Sequence, residues 1–177
     1  MKLYATNLRF LGDTKKQQDL DCCVHGTIVF EINGEVLSDD TQWCVSASAY
    51  RFLHTLFADH FAGYEQHMIP CCGHFMVPSE DGMKVLISGC SNGIDFDVIH
   101  ENEDIIIRTE ENKVYRVPFA EYKAAVLGYA KQVEGFYHQN PPRRFEDEFE
   151  KKGFAAFCNE WYGLMEKAQA PADGKSQ

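Results

Sequence analysis

The stretch Asp104-Ile105-Ile106-Ile107-Arg108-Thr109-Glu110-Glu111-Asn112-Lys113-Val114-Tyr115-Arg116-Val117-Pro118-Phe119-Ala120-Glu121-Tyr122 changes period part-way along. Three consecutive isoleucines suit a strand covered on both faces, and Val114 to Val117 continues as a second strand after a polar turn. Beyond Pro118 the apolar spacing becomes helical: Tyr122, Val126, Tyr129, Val133, Phe136 and Tyr137 fall on one face. Proline is tolerated in a first helical turn, and Asn140-Pro141-Pro142 stops the helix. Core packing is the expectation for the aromatic stripe Tyr122, Tyr129, Phe136 and Tyr137.

Upstream of this switch the chain reads as strands with one early helix. Residues 2–10 alternate loosely, and residues 11–22 are polar, fitting a loop or a short helix. Ile28, Phe30 and Ile32 share a face, and Asn33-Gly34 is a strong hairpin signal because both residues accept positive φ. Ala49, Phe52, Leu53, Leu56 and Phe57 recur at helical spacing, with Ser46 or Ser48 as the expected cap and an end near His60 to Gly63. Met83, Val85 and Ile87 alternate with Lys84, Leu86 and Ser88, and Ile94, Phe96 and Val98 with Asp95 and Asp97. A last helix is expected from about Phe145 or Gly153 to Lys167, with Phe154, Phe157, Cys158, Trp161, Leu164 and Met165 as its core stripe.

The predicted class is therefore α+β: an antiparallel β-meander with one early helix and two C-terminal helices packed on it, as a single domain over residues 1–168 with a disordered tail at 169–177. At 177 residues, with 45% hydrophobic and 13% aromatic side chains, the chain can build a sizeable core. No apolar run reaches the roughly 20 residues that a bilayer requires, and Met1 to Thr6 lacks a signal-peptide core, so a cytoplasmic protein is expected. That setting predicts reduced thiols for the seven cysteines, with no disulfide inside the adjacent pairs Cys22-Cys23 and Cys71-Cys72.

The net charge of −10 disfavours nucleic acid and anionic membrane, and favours a basic protein partner. Nine acids against Lys84 and Arg108 leave seven of those ten net charges between residues 80 and 111. The residues expected to meet such a partner are Asp95, Asp97, Glu101, Glu103, Asp104, Glu110 and Glu111; Asp95 and Asp97 share a strand face by period two. The Glu146-Asp147-Glu148-Glu150 run is instead the ordinary charge of a helix N-terminus.

Catalytic and metal patterns are weaker. His60, His67, Cys71, Cys72 and His74 fall within fifteen residues, but without the C-x₂₋₄-C and H-x₃₋₅-H spacing of structural zinc. Cys90 lies on a turn with Asp95 and His100 near in sequence, the residue types of a thiol nucleophile, though its turn leads to another strand rather than a helix. No G-x-G-x-x-G or G-x-x-x-x-G-K-[ST] occurs, so no cofactor is expected.

Gly26-Thr27-Ile28-Val29-Phe30-Glu31-Ile32-Asn33-Gly34-Glu35, Gly89-Cys90-Ser91-Asn92-Gly93-Ile94-Asp95, and the helix from Glu121-Tyr122-Lys123 to Val133-Glu134-Gly135-Phe136-Tyr137 together give a plan. That plan resembles the small immunity proteins of bacterial polymorphic-toxin and contact-dependent growth-inhibition systems. The resemblance implies a non-enzymatic inhibitor that binds a cognate toxin domain, often a nuclease, and blocks its active site; an acidic surface suits the basic cleft of a nuclease. The competing classes are a small cysteine- or metal-dependent enzyme and a subunit of a larger complex.

Overall fold

A computed structural model describes residues 1–63, 66–73 and 75–170. In chain order the elements are β1 (Lys2–Arg9), α1 (Lys15–Leu20), β2 (His25–Ile32), β3 (Glu35–Val36), β4 (Trp43–Cys44), α2 (Val45–His54), β5 (Ile69–Pro70), β6 (Phe75–Pro78), β7 (Val85–Ser88), β8 (Gly93–Ile94), β9 (Phe96–Glu101), β10 (Asp104–Thr109), β11 (Val114–Pro118), α3 (Phe119–Gln139) and α4 (Glu148–Gln169). The class is α+β with every ladder antiparallel, as expected. The strands do not make one continuous meander. Among the described residues β2 pairs with β1, β3 and β4; β9, β10 and β11 form a second sheet; β5–β8 and β6–β7 are separate two-stranded ladders.

Local chemistry explains the boundaries. At the β2–β3 turn Asn33 and Gly34 have φ of 54° and 86°, the left-handed values that this dipeptide accepts readily. Thr14 and Gln17 close a capping box at the start of α1. Asp147 caps α4 by accepting a hydrogen bond from the Glu150 amide at 2.8 Å, so the acidic run does mark a helix start, a few residues beyond Phe145. The expected serine cap of α2 is absent. That helix begins at Val45, and the Ser46 hydroxyl instead accepts from the Val24 amide at 3.1 Å, tying the helix to the entrance of β2. The helix stops at His54, earlier than its apolar spacing implied.

Every residue of α2 from Val45 to Leu53 is buried, because the β2 sheet, α3 and α4 surround it. Phe30, Phe52 and Phe96 meet with ring centroids 5.0 to 6.0 Å apart, joining both larger sheets to this helix. Tyr122 and Tyr129 are fully buried, as the stripe predicts; their hydroxyls reach Thr55 Oγ1 (2.6 Å) and the Val45 carbonyl (3.3 Å). Phe136 and Tyr137 pack at the margin of the core.

The α3–α4 connector holds the segment preceding β2. Arg143 is buried and donates to the carbonyls of Gln18 (2.7 Å), Asp21 (3.3 Å) and Pro141 (2.6 Å), while its guanidinium lies 3.6 Å from the centroid of Phe10. The Tyr137 hydroxyl donates to the Cys22 carbonyl at 2.7 Å. Residues 18–23 are thereby fixed from two sides. No described helix is long and apolar enough to cross a membrane.

Candidate functional site

The expected acidic face does not assemble. Asp95 is 5% exposed, which corrects its assignment to a partner surface. It falls in the break between β8 and β9 and turns inward. His60 Nε2 lies 2.8 Å from one of its oxygens, and the amides of Gly63 (3.1 Å) and Met68 (3.1 Å) donate to the carboxylate. Burial would raise its pKa, but the His60 contact and those amides hold it below the ordinary carboxylate value. Asp97 accepts from the Ala62 amide (2.9 Å) and pairs with Arg108 at 3.3 Å. These two carboxylates therefore hold His60, Ala62, Gly63 and Met68.

Arg116 lies between Glu101 and Asp104, and Lys113 pairs with Glu111 at 3.6 Å and with Glu35. Glu103 and Glu110 are exposed and have no ion-pair partner among the described residues. They occupy the turns at opposite ends of β10, and seven steps of about 3.3 Å along that strand separate them by roughly 23 Å. This exceeds the screening length of about 8 Å at physiological salt, so the two ends act as separate small charges.

The expected metal and nucleophile sets are also regrouped. His60 serves Asp95, His67 packs beside Gly93, and His74 lies outside the described residues. Cys90 joins Cys71 and Cys72 instead: Cys71 and Cys90 are paired as a disulfide, contrary to the all-reduced expectation, and the Cys90 amide donates to Cys72 Sγ at 3.1 Å. The partners proposed for a Cys90 nucleophile are engaged elsewhere, since His100 Nδ1 lies 2.8 Å from Asp59 and Asp95 faces His60.

A different cluster emerges where β2 begins. Asp21, Cys23 and His25 place a carboxylate oxygen, a sulfur and a ring nitrogen all within 4.8 Å of one another. Their spacing of two residues puts them on one side of an extended chain. Cys44 is the cross-strand partner of His25 in the β2–β4 ladder, and directly opposed residues project to the same face. Cys44 also sits at the N-cap of α2, fully buried. Its thiol is held below the ordinary cysteine value, first by the neighbouring Cys23 side chain; burial opposes this, while His25, the Ala47 amide and the Ser46 hydroxyl assist. Cys23, whose thiol donates to the Gly73 carbonyl at 3.3 Å, moves the other way, pushed well up by the neighbouring Cys44 and by burial. Burial alone would raise Asp21, yet contacts from His25 and the amides of Leu11 (2.6 Å) and Cys23 (2.9 Å) hold it low. His25 is lowered by burial and raised more by Asp21 and Cys44.

A pocket of about 300 Å³ opens over Asp21, Cys23 and His25. Gly73 and Met76 line it, Leu11, Phe75 and Phe149 stand exposed around it, and Asp147 and Glu150 add negative charge, with no lysine or arginine among the described residues of the lining. Phe75 continues onto the outward face of the β6–β7 hairpin. Val77 pairs there with Leu86, and Met83 follows in the turn; Phe75, Leu86 and Met83 are 61%, 61% and 55% exposed. The inward face of the same hairpin, with Met76, Val85 and Ile87, is buried, and α4 packs on the hairpin.

This Cys–His–Asp grouping has the residue types of nucleophilic catalysis, but Cys44 is sealed inside the core, so a substrate carbonyl has no approach to the thiol with the lowered pKa. Sequence periodicity over residues 21–25 was the signal that could have located the cluster; the contribution of Cys44 depended on the β2–β4 pairing. No family model, curated protein or solved structure matches the chain.

Proposed function

We propose that this chain is a toxin-binding inhibitor of the immunity type, and that it docks its cognate toxin domain through the outward face of the β6–β7 hairpin and the adjoining rim of Leu11 and Phe149. The observation that carries the reading is the run of exposed apolar side chains Phe75, Val77 and Leu86 on the outward face of the hairpin, with Met83 exposed in its turn. Contiguous exposed apolar surface is costly in water and marks interaction sites, and aromatic and methionine side chains are enriched at the centre of interfaces. The second support is charge. Asp21, Asp147 and Glu150 border the same surface, with His25 but no lysine or arginine among the described residues of the pocket lining, which suits a partner with a cationic cleft. The acids at the ends of β10 contribute long-range attraction rather than the contact itself.

The reading is tested by mixing the chain with the toxin domain encoded beside its gene. A one-to-one complex that suppresses the toxin's activity is expected. Phe75→Asp and Leu86→Asp should each weaken it by about 30-fold or more, the effect of losing roughly 2 kcal/mol at an interface centre. Absence of a complex, or unchanged affinity in both variants, would contradict it.

A further inference from the structure

We infer that Asp21, Cys23, His25 and Cys44 form a binding site for a zinc ion. Three of these side chains already bring a carboxylate oxygen, a thiol sulfur and an imidazole nitrogen within 4.8 Å of one another. Tetrahedral zinc, with bonds of about 2.0 to 2.3 Å, separates its ligand atoms by roughly 3.3 to 3.8 Å, so closing the cluster around an ion needs small side-chain adjustments and no change of fold. The ladder offers the fourth ligand: Cys44 opposes His25 directly, and its sulfur, which lies outside the 4.8 Å cluster of the other three, turns toward them when the ion binds.

The surroundings fit an ion better than a plain core. A histidine and two thiols are buried beside a half-buried aspartate, an arrangement that apolar packing does not reward. A divalent cation offsets the charge of the carboxylate and of any thiolate formed there. The outer shell is in place as well: the amides of Leu11 and Cys23 hold the Asp21 oxygens, and the Ser46 hydroxyl lies 3.8 Å from Cys44 Sγ. Gly73 is part of the design, because a side chain there would begin 3.2 Å from Cys44 Sγ and crowd the sulfurs. Two thiolates, one imidazole and one carboxylate are a donor set for zinc rather than for magnesium or calcium. The second thiol group, Cys71, Cys72 and Cys90, is a poorer candidate because two of its three sulfurs are bonded to each other.

The site does not depend on the toxin-binding reading, since metal content is measured on the isolated chain. Elemental analysis of the protein purified without chelators should give one zinc per chain. Cobalt(II) added after zinc removal should produce thiolate charge-transfer and tetrahedral ligand-field bands, with the intensity of two sulfur ligands. Cys23→Ser and Cys44→Ser should each weaken cobalt binding by about 100-fold or more, whereas Cys72→Ser and Cys90→Ser leave it unchanged. The wild-type spectrum decides without any variant: a cobalt sample lacking thiolate bands overturns the assignment. So does a band of three-sulfur intensity that Cys72→Ser abolishes, which would move the metal to the other cluster.

Discussion

His60 Nε2 and an Asp95 carboxylate oxygen lie 2.8 Å apart with both side chains buried, and this pair, with the Gly63 and Met68 amides on the same carboxylate, ties His60, Gly63 and Met68 to the start of β9. The Asp95 pKa is lower in the folded chain than its ordinary 3.8, so its contribution to stability is complete above that value and is lost as pH falls through the folded one. Asp95→Asn should cost about 2 to 4 kcal/mol at pH 7. Urea melts across the acid range should show the wild type losing stability below about pH 4 and the variant depending less on pH there. A loss under about 0.5 kcal/mol at neutral pH, the size expected of an exposed site, would mean the pair is dispensable.

Gly153 gives a second, sign-reversing expectation. Glycine-to-alanine changes inside exposed helices usually stabilise by about 0.5 to 1 kcal/mol. Gly128 and Gly163, which have no neighbour near a built Cβ, should behave so. At Gly153 the same Cβ would lie 2.0 Å from the Met76 carbonyl oxygen, where α4 crosses β6. Gly153→Ala should therefore destabilise by about 2 kcal/mol or more by forcing helix and hairpin apart. Thermal melts of the three variants check this; a rise in melting temperature for Gly153→Ala would refute the close contact.

Arg143 carries a third. Its guanidinium serves the Gln18, Asp21 and Pro141 carbonyls from a buried position and covers Phe10. Arg143→Met keeps much of the apolar stem but removes the donors, and should lose about 2 to 3 kcal/mol. Arg143→Lys should recover only part, since an ammonium cannot span the fork. Hydrogen exchange should show the amides of residues 18–23 opening first. Uniform loosening of the whole chain would instead make Arg143 a general core residue.

The C-terminal half was legible because its period is unambiguous: Tyr122, Val126, Tyr129 and Val133 are buried along α3. The turn at Asn33-Gly34 was equally readable, as both residues take the positive φ that the pair favours. Asp95 misled because alternation with Ile94, Phe96 and Val98 gives an outward position for an unbroken strand. The actual strand breaks at Asp95, between β8 and β9, and the side chain turns towards a loop more than thirty residues earlier. Counting charge between residues 80 and 111 likewise overlooked Arg116 and Lys113, which lie just beyond that window but across the ladder from it. The cluster at β2 escaped for a similar reason. Asp21, Cys23 and His25 precede the obvious strand pattern, and Cys44 joins them only through tertiary pairing.

The exposed hairpin face is tested most directly by titration calorimetry of the chain with the cognate toxin domain that the proposed function calls for, repeated with Phe75→Asp, Leu86→Asp and a charge reversal of Glu101, Glu103, Asp104 and Glu110. The account predicts tight one-to-one binding, an approximately 30-fold or larger loss for either hairpin variant, and for the charge variant a smaller change that fades at high salt. Binding that ignores both hairpin substitutions but collapses on charge reversal would place the contact on the β9–β11 turns and contradict it.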